Sequence, residues 1–186
     1  MPVPQILQLP GMNAILDSSM KENLEKVSYS SRYALALFFN KAEPGVILNK
    51  TAPETGAHYI SDDPIFCYAA IDGKKKGLAE TPTSVIFHTK VPWGIKHLEK
   101  PLKEVEQILL DHCKQRYPEW PEPANVKCLR WRYSQIFKPY EGTPKAVILS
   151  ESPLIVAAGD AFMPRSGFDT CIDSAKTTSE ILINKL

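Results

Sequence analysis

IFCYAAI, residues 65–71, is a run of apolar, aromatic and small side chains with the length and composition of a β-strand. The segment HYI at 58–60 precedes it across a turn at 62–64, so the two segments predict an antiparallel pair. SVIFHT at 84–89 predicts a further strand. Because these strands follow one another without intervening helices, they favour an antiparallel sheet and an α+β fold.

More strands and helices are predicted on both sides of this centre. YSSRYALALFF at 29–39 predicts a long strand, and the alternating segment VKCLRWRYSQ at 126–135 predicts a half-buried one. A short strand is expected at 146–149. Apolar residues at helical spacing predict one helix over 13–26 and another over 101–116, where Pro101 suits a helix start.

The pattern changes near residue 150. LIVAA at 154–158 is apolar at every position, which is typical of a strand buried on both faces in the parallel sheet of an α/β layer. A helix predicted over 171–182 is expected to pack back on this strand. We therefore predict two domains, residues 1–150 and residues 151–186.

The composition argues against several classes of function. The 186 residues carry a formal net charge of +1, which gives no electrostatic reason to expect nucleic acid, and we interpret the lysine run at 74–76 as a solvated hairpin tip. No apolar stretch approaches the ~20 residues that span a bilayer. The cysteines form no C-x-x-C pair and the histidines lack metal-ligand spacing, so no metal site is predicted.

The end of the 154–158 strand is a candidate ligand site. Gly159 lets a ligand approach the backbone closely, and the Asp160 carboxylate can accept hydrogen bonds from the hydroxyl groups of a polyol. A helix that begins near Asp169 or Thr170 would direct backbone N–H groups and the positive end of its dipole towards the ligand. The alternative is a turn in which Asp169 or Thr170 only caps its own helix.

Longer strings of residues resemble a known family. They are similar to the C-terminal half of the renalase family, flavin-dependent oxidoreductases of the monoamine-oxidase-like superfamily. The matching strings are MPVP at 1–4, VSYSSRYAL at 27–35, VPWG at 91–94, WRYSQ at 131–135, and GD at 159–160 with FDTCI at 168–172.

The resemblance also implies a domain organisation. Family members begin with a dinucleotide-binding βαβ unit whose G-x-G-x-x-G motif holds the FAD pyrophosphate, and the nine glycines here do not form that motif. Met1 is therefore expected to be an internal methionine. Residues 1–150 are expected to be the substrate-binding domain of a flavin amine-oxidase-like protein. Residues 151–186 are expected to be the final strand and helix of a truncated, Rossmann-like FAD-binding domain.

A cofactor, a substrate and a reaction follow from the same resemblance. The cofactor implied is FAD, and the implied reaction is the oxidation of isomeric dihydro-NAD(P) to NAD(P)+ while O2 is reduced to H2O2. Because half of the FAD site is missing, we expect this chain to be inactive or weakly active as an NAD(P)H oxidase. The expected cofactor contacts are Gly159, Asp160, Phe168, Asp169, Thr170 and Cys171.

Three further residues are candidates for substrate contacts. Tyr59 offers an aromatic face for a nicotinamide ring, Trp131 a wall for the substrate cavity, and Arg132 a charge for a nucleotide phosphate. For Trp131 we favour core packing over this role, and for Arg132 a solvated or salt-bridged side chain is the alternative. Tyr133 stands where the family has histidine, and we assign no catalytic residue because flavin chemistry does not need a protein nucleophile.

A second hypothesis is that the chain is a non-enzymatic, truncated product that acts by binding a receptor or another partner. A visible flavin spectrum would favour the oxidoreductase, whereas a colourless protein that fails to bind FAD would favour the binding protein. The family suggests a secreted protein, but the first residues form no signal peptide. Both an extracellular and a cytoplasmic location therefore stay open.

Overall fold

The computed structural model describes residues 1–40, 56–75 and 84–185. Its elements combine helices with antiparallel sheet, as the sequence predicts. In chain order they are α1 (Val3–Ile6), α2 (Met12–Ile15), α3 (Ser18–Glu25), β1 (Ser28–Phe38), β2 (Ala57–Tyr59), β3 (Phe66–Ile71), α4 (Asp72–Lys75), β4 (Ser84–Thr89), α5 (Val91–Lys96), α6 (Leu102–Arg116), β5 (Asn125–Lys138), β6 (Ala146–Glu151), β7 (Leu154–Ala158), a 3-10 turn (Asp160–Phe162) and α7 (Phe168–Lys185).

The chain divides into two compact units. One unit comprises Ser31–Arg132, and the other combines Met1–Ser30 with Tyr133–Leu186. This division by contacts differs from the functional boundary predicted at residue 150, which stays a prediction. Among the described residues, no helix combines the length and the apolar character that a membrane span requires.

Five strands form one sheet in the order β2-β3-β4-β1-β5. The β2–β3, β3–β4 and β1–β4 pairs are antiparallel, which confirms the predicted antiparallel arrangement. A β-bulge lies in β3 opposite β4, because Phe66 pairs with Thr89 and Tyr68 pairs with His88. Cys67 is therefore an additional residue in this ladder, and such bulges locally re-aim neighbouring side chains.

The core of the 31–132 unit lies between one face of this sheet and α6. Leu35, Val85 and Phe87 are fully buried on the sheet side. Val105 and Leu109 are fully buried on the helix side, since residues four apart lie on one helix face. Burial of each such side chain contributes about 1.5–3 kcal/mol, so this face fixes which strand residues point inwards.

A buried carboxylate joins the turn before β3 to α6. The Oδ1 atom of Asp63 accepts hydrogen bonds from the N–H groups of Ile65 (2.7 Å) and Phe66 (2.6 Å). Its Oδ2 lies 2.9 Å from His112 Nε2 and 3.3 Å from an Arg116 nitrogen. Burial raises the Asp63 pKa, but the hydrogen bonds from Phe66 and His112 outweigh burial and hold this pKa below its ordinary value.

The other unit contains a two-stranded sheet covered by α7. β6 and β7 pair antiparallel, and α7 contacts both strands. The prediction that 154–158 lies in a parallel sheet, buried on both faces, is wrong for this chain. Of the five residues of β7, only Ala157 is buried, and Ala158 is exposed. A two-stranded sheet leaves β7 with an edge, so its apolar residues cannot all be covered.

Other predicted elements differ from the structure mainly at their ends. The predicted helix over 13–26 is two helices, because the Asp17 carboxylate accepts a hydrogen bond from Met20 N–H (2.7 Å) and starts a new helix. α7 begins three residues before the predicted helix and ends three residues after it. Of the predicted lysine tip, Lys74 and Lys75 belong to the short helix α4, and Lys76 lies outside the described residues.

Replacement of the buried carboxylate, Asp63→Asn, is expected to lower the free energy of unfolding by about 2–4 kcal/mol at pH 7, because Arg116 loses a buried anionic partner. Since the Asp63 pKa is lowered in the folded state, its stabilising contribution exists above the ordinary carboxyl pKa and is lost as pH falls through the folded-state pKa. Urea unfolding at several acidic pH values should show this dependence in the wild type and a weaker one in D63N.

The matched control is Asp62→Asn. The Asp62 side chain also pairs with Arg116 (3.1 Å), but it is 75% exposed whereas the Asp63 side chain is 0% exposed. Exposed ion pairs contribute about 0–1 kcal/mol, so D62N should change stability little. Equal losses in the two variants would contradict the role assigned to the buried carboxylate.

Candidate functional site

Four ring side chains form a continuous row across the sheet of the 31–132 unit. Tyr59 contacts Tyr68, with ring centroids 5.5 Å apart. Tyr68 contacts His88 at 5.2 Å, and His88 contacts Trp131 at 5.0 Å. We call Tyr59, Tyr68, His88 and Trp131 the aromatic row. The sequence-predicted residues Tyr59 and Trp131 are its two ends.

Strand register explains the row. Tyr59 lies opposite Tyr68, and Tyr68 lies opposite His88 in the antiparallel ladders. β1 separates His88 from Trp131, and the β1 residue opposite His88 is Ala34. Because the alanine side chain is a single methyl group, it leaves space for the imidazole and indole rings to meet above it. Neighbouring strands are ~4.8 Å apart, so a larger side chain here would separate the rings.

The row lies on the sheet face opposite the α6 core. Phe87 and Ala69 are fully buried, and their neighbours His88 and Tyr68 point the other way because strand side chains alternate. Tyr59 is 86% exposed and Trp131 is 41% exposed, so the favoured interpretation of Trp131 as a core residue is wrong. The two ends of the row are exposed and Tyr68 and His88 between them are half-buried, so the row offers partly accessible ring surface to a planar ligand.

Arg132 does not join the aromatic row. Its two terminal nitrogens donate to both carboxylate oxygens of Glu99, at 2.7 and 3.1 Å. The hydrogen bond from Arg132 lowers the Glu99 pKa. The structure therefore has the salt-bridged arrangement that the sequence left as the alternative for this arginine.

The other unit contains the Gly-Asp turn at the end of β7. Gly159 has φ +123° and ψ −169°, a backbone conformation that is essentially restricted to glycine, and a Cβ atom there would meet no heavy atom within 4 Å. Its N–H donates to Ser174 Oγ (2.8 Å), and this hydroxyl donates to the Lys145 carbonyl (2.5 Å). The turn is thus held against α7 while space stays open over the Gly159 backbone.

Asp160 follows the glycine and is also held in place. Its Oδ2 accepts a hydrogen bond from Ser166 Oγ (2.7 Å), which in turn accepts one from the Ile136 N–H (2.8 Å). The carboxylate therefore has a defined orientation at the start of the 3-10 turn. A carboxylate oriented in this way can accept further hydrogen bonds from neutral hydroxyl groups.

Side chains of the first turn of α7 form hydrogen bonds and an ion pair with groups at the start of the same helix. Asp169 forms an ion pair with Arg165, and hydrogen bonding to the Thr170 N–H is the main cause of its lowered pKa. The Thr170 hydroxyl contacts the Gly167 carbonyl (2.8 Å). Asp169 thus has the self-capping contacts that the sequence left open as an alternative. Phe168 is 85% exposed.

A groove runs between the end of β7 and α7. Two of the predicted cofactor contacts, Gly159 and Cys171, line this groove, and most of its other lining side chains are small. The lining residues are Ala158, Gly159, Cys171, Ser174, Ala175, Thr178, Ser179 and Leu182. Small side chains and an open glycine backbone fit a ligand that approaches the main chain closely.

Sequence reasoning missed two members of the aromatic row, Tyr68 and His88. Each of them precedes or follows a buried residue of its own strand, so alternation alone could predict that it lies on the other face. The contact between them depends on the pairing register of the strands, which the sequence does not show. Among the described residues, no group of three or more His, Cys, Asp or Glu side chains could hold a metal ion.

Comparison with solved structures identifies the class of fold. A proposed protoporphyrinogen oxidase from Exiguobacterium sp. 255-15 matches with a TM-score of 0.51 and 18% identity, over 70% of this chain and 27% of that chain. An oxidoreductase from Methanosarcina mazei matches with a TM-score of 0.42 and 14% identity, over 63% of this chain and 26% of that chain. The first likeness shows a shared mixed helix and antiparallel-sheet fold.

Sequence comparison is more specific. No family model matches the chain. Renalase from Mus musculus is 35% identical over 185 residues, which are 98% of this chain and 52% of that protein. The chain is renalase-like over almost its whole length, which confirms the resemblance, and it spans about half the length of this curated relative.

Substitution of Gly159 tests whether the turn beside the groove requires the backbone conformation of glycine. Gly159→Ala is expected to lower the free energy of unfolding by about 2–3 kcal/mol, because alanine rarely adopts this conformation even where space is available. Gly142→Ala is the matched control, since Gly142 has φ +73° and equally open surroundings. The ordinary left-handed region should cost alanine only about 1 kcal/mol. Urea unfolding measures the free energy of unfolding of each variant. An equal decrease in G159A and G142A would contradict the special conformation of Gly159.

Proposed function

We propose that this chain forms part of a renalase-type, FAD-dependent oxidoreductase. Its reaction is the oxidation of isomeric dihydro-NAD(P) to NAD(P)+, with O2 reduced to H2O2. Residues 1–150 are assigned to substrate binding and residues 151–186 to the FAD-binding domain. The aromatic row is the observation that supports the proposal best, because its four rings offer a surface for a planar nicotinamide ring.

The proposed FAD contacts lie at the end of β7 and the start of α7, and two of them, Gly159 and Cys171, line the β7–α7 groove. The open backbone at Gly159 allows close approach of the ribityl chain, and the oriented Asp160 carboxylate accepts hydrogen bonds from its hydroxyl groups. Phe168, Asp169 and Cys171 are exposed at the start of α7, where they are assigned to the flavin, and Thr170 fixes the turn. When bound, FAD would supply the two-electron acceptor that the side chains of this protein lack.

The aromatic row binds and orients the substrate in this proposal. Tyr68 and His88 are half-buried and hold the centre of the surface, while Tyr59 and Trp131 extend it on both sides. Aromatic contacts contribute about 0.5–1.5 kcal/mol each, so the row can orient a ring without a covalent contact. Burial of one ring face also excludes water from that side of the substrate.

The experiment combines this chain with the half of Mus musculus renalase that it does not span, produced as a separate polypeptide. We expect visible flavin absorbance and stoichiometric H2O2 from isomeric dihydro-NAD(P) for the pair, and little of either for the 186-residue chain alone. Within the pair, Trp131→Ala should lower kcat/KM about tenfold, because it removes one end of the stacking surface.

Leu129→Ala is the matched control for W131A. Leu129 lies on the same strand and is 42% exposed, close to the 41% of Trp131, but it is not a member of the aromatic row. L129A should retain the wild-type kcat/KM. A pair that binds FAD yet oxidises dihydro-NAD(P) equally well with W131A would contradict the role of the row. A pair without flavin or H2O2 would favour a non-enzymatic protein.

A further inference from the structure

The aromatic row is most accessible at its two ends. Tyr59 is 86% exposed and Trp131 is 41% exposed, whereas Tyr68 and His88 between them are half-buried. A planar ligand gains most by stacking where ring surface is open to it. The row therefore offers two separate stacking positions, one at each end.

The two ends are separated by the width of the sheet. Tyr59 lies on β2 and Trp131 on β5, the first and last strands in the sheet order. Successive ring centroids are 5.5, 5.2 and 5.0 Å apart, which limits the distance between the end rings to about 16 Å. Strands spaced at ~4.8 Å cross a comparable width, so the row is extended and a ligand of one ring cannot contact both ends.

A dinucleotide has the dimensions to use both ends. It carries two planar rings that are joined through two riboses and a pyrophosphate. About twelve bonds connect the two glycosidic carbons, and an extended chain advances ~1.1–1.2 Å per bond, so this linker reaches about 14 Å. Because the ring centres lie beyond the glycosidic carbons, the two rings can span the distance between Tyr59 and Trp131. A mononucleotide has one such ring and can occupy only one end.

The two ends suit different rings. In the proposed reaction only the nicotinamide ring is oxidised, and a reacting ring benefits from the exclusion of water, whereas adenine does not react. Trp131 is the less exposed end, and its ring centroid lies 5.0 Å from that of the half-buried His88. Nicotinamide is therefore assigned to Trp131 and adenine to Tyr59, in place of the nicotinamide contact that the sequence predicted for Tyr59.

We propose that the aromatic row binds a dinucleotide through both of its rings, with nicotinamide on Trp131 and adenine on Tyr59. This inference rests on the proposed function and deepens it, because it names the residue that selects dinucleotides over mononucleotides. Once one ring is bound, the linker holds the other near the opposite end, so the second contact adds affinity without a second loss of translational freedom. One base–aromatic stack of this kind is expected to tighten binding about tenfold.

The test compares NAD+, the product of the proposed reaction, with nicotinamide mononucleotide, which lacks the adenosine half. Affinities for the full 186-residue chain are measured by saturation-transfer NMR, which also shows which ligand ring contacts the protein. The indole N–H of Trp131, assigned with Trp131→Leu, reports binding at that end of the row. We expect NAD+ to bind about tenfold more tightly than the mononucleotide, with both of its rings in contact.

Tyr59→Ala should remove the adenine contact, lower the affinity for NAD+ to that for the mononucleotide, and leave the affinity for the mononucleotide unchanged. NAD+ also has one more phosphate than the mononucleotide, but a preference caused by that charge would persist in Y59A. Tyr59→Phe keeps the ring and should keep the preference.

Phe137→Ala is the matched control for Y59A. Phe137 is 78% exposed, similar to Tyr59, but it is not a member of the aromatic row. F137A should keep the preference of about tenfold for NAD+. The dispersion of the NMR spectrum shows whether each variant is folded, and Y59F provides the comparison if Y59A is not.

The outcomes separate this inference from the proposed function. If both ligands shift the Trp131 signal and Y59A keeps the preference for NAD+, the role of Tyr59 is overturned while the nicotinamide surface stands. Loss of the adenine contact in W131L rather than in Y59A would likewise overturn the assignment of the two ends. If neither ligand binds, or if W131L leaves both affinities unchanged, the proposed substrate surface fails and the inference fails with it.

Discussion

The register of β4 between β3 and β1 is the constraint on which both faces of the large sheet depend. Strand side chains alternate with a period of two, so this pairing sends Val85 and Phe87 towards α6 and His88 towards the opposite face. A slip of one residue would expose the apolar side chains and bury the imidazole. The stability of the core and the position of the aromatic row are therefore consequences of the same set of backbone hydrogen bonds.

Two local features shape the outer face of the large sheet. The methyl side chain of Ala34 lets rings from two strands meet across a third strand. The bulge at Cys67 places a sulfur atom where it can accept a hydrogen bond from Arg32. Neither feature adds much to the core. Both instead determine which side chains can meet on the face that solvent reaches.

Local sequence patterns predicted most of the elements, but not the contacts between distant ones. The β4 strand is found at the predicted residues 84–89, and α6 occupies all but the first residue of its predicted range, because alternation and helical spacing are local signals. The pairing of β7 with β6 was not predictable, since a continuous apolar run suits several kinds of sheet. The same limit applies to the site, where the partner of Arg132 is 33 residues away along the chain.

The two arginines show how one residue of spacing decides what a side chain can do. Arg132 directly follows Trp131, so alternation takes its side chain away from the face of the aromatic row, and there it meets Glu99. Arg32 is separated from Ala34 by one residue, so it shares the face on which the rings lie. In a strand, residues next to each other in the sequence lie on opposite faces of the sheet, whereas residues two apart lie on the same face. The face on which an arginine of this sheet lies, and hence the partners it can reach, therefore depends on whether its spacing from a ring-bearing position is odd or even.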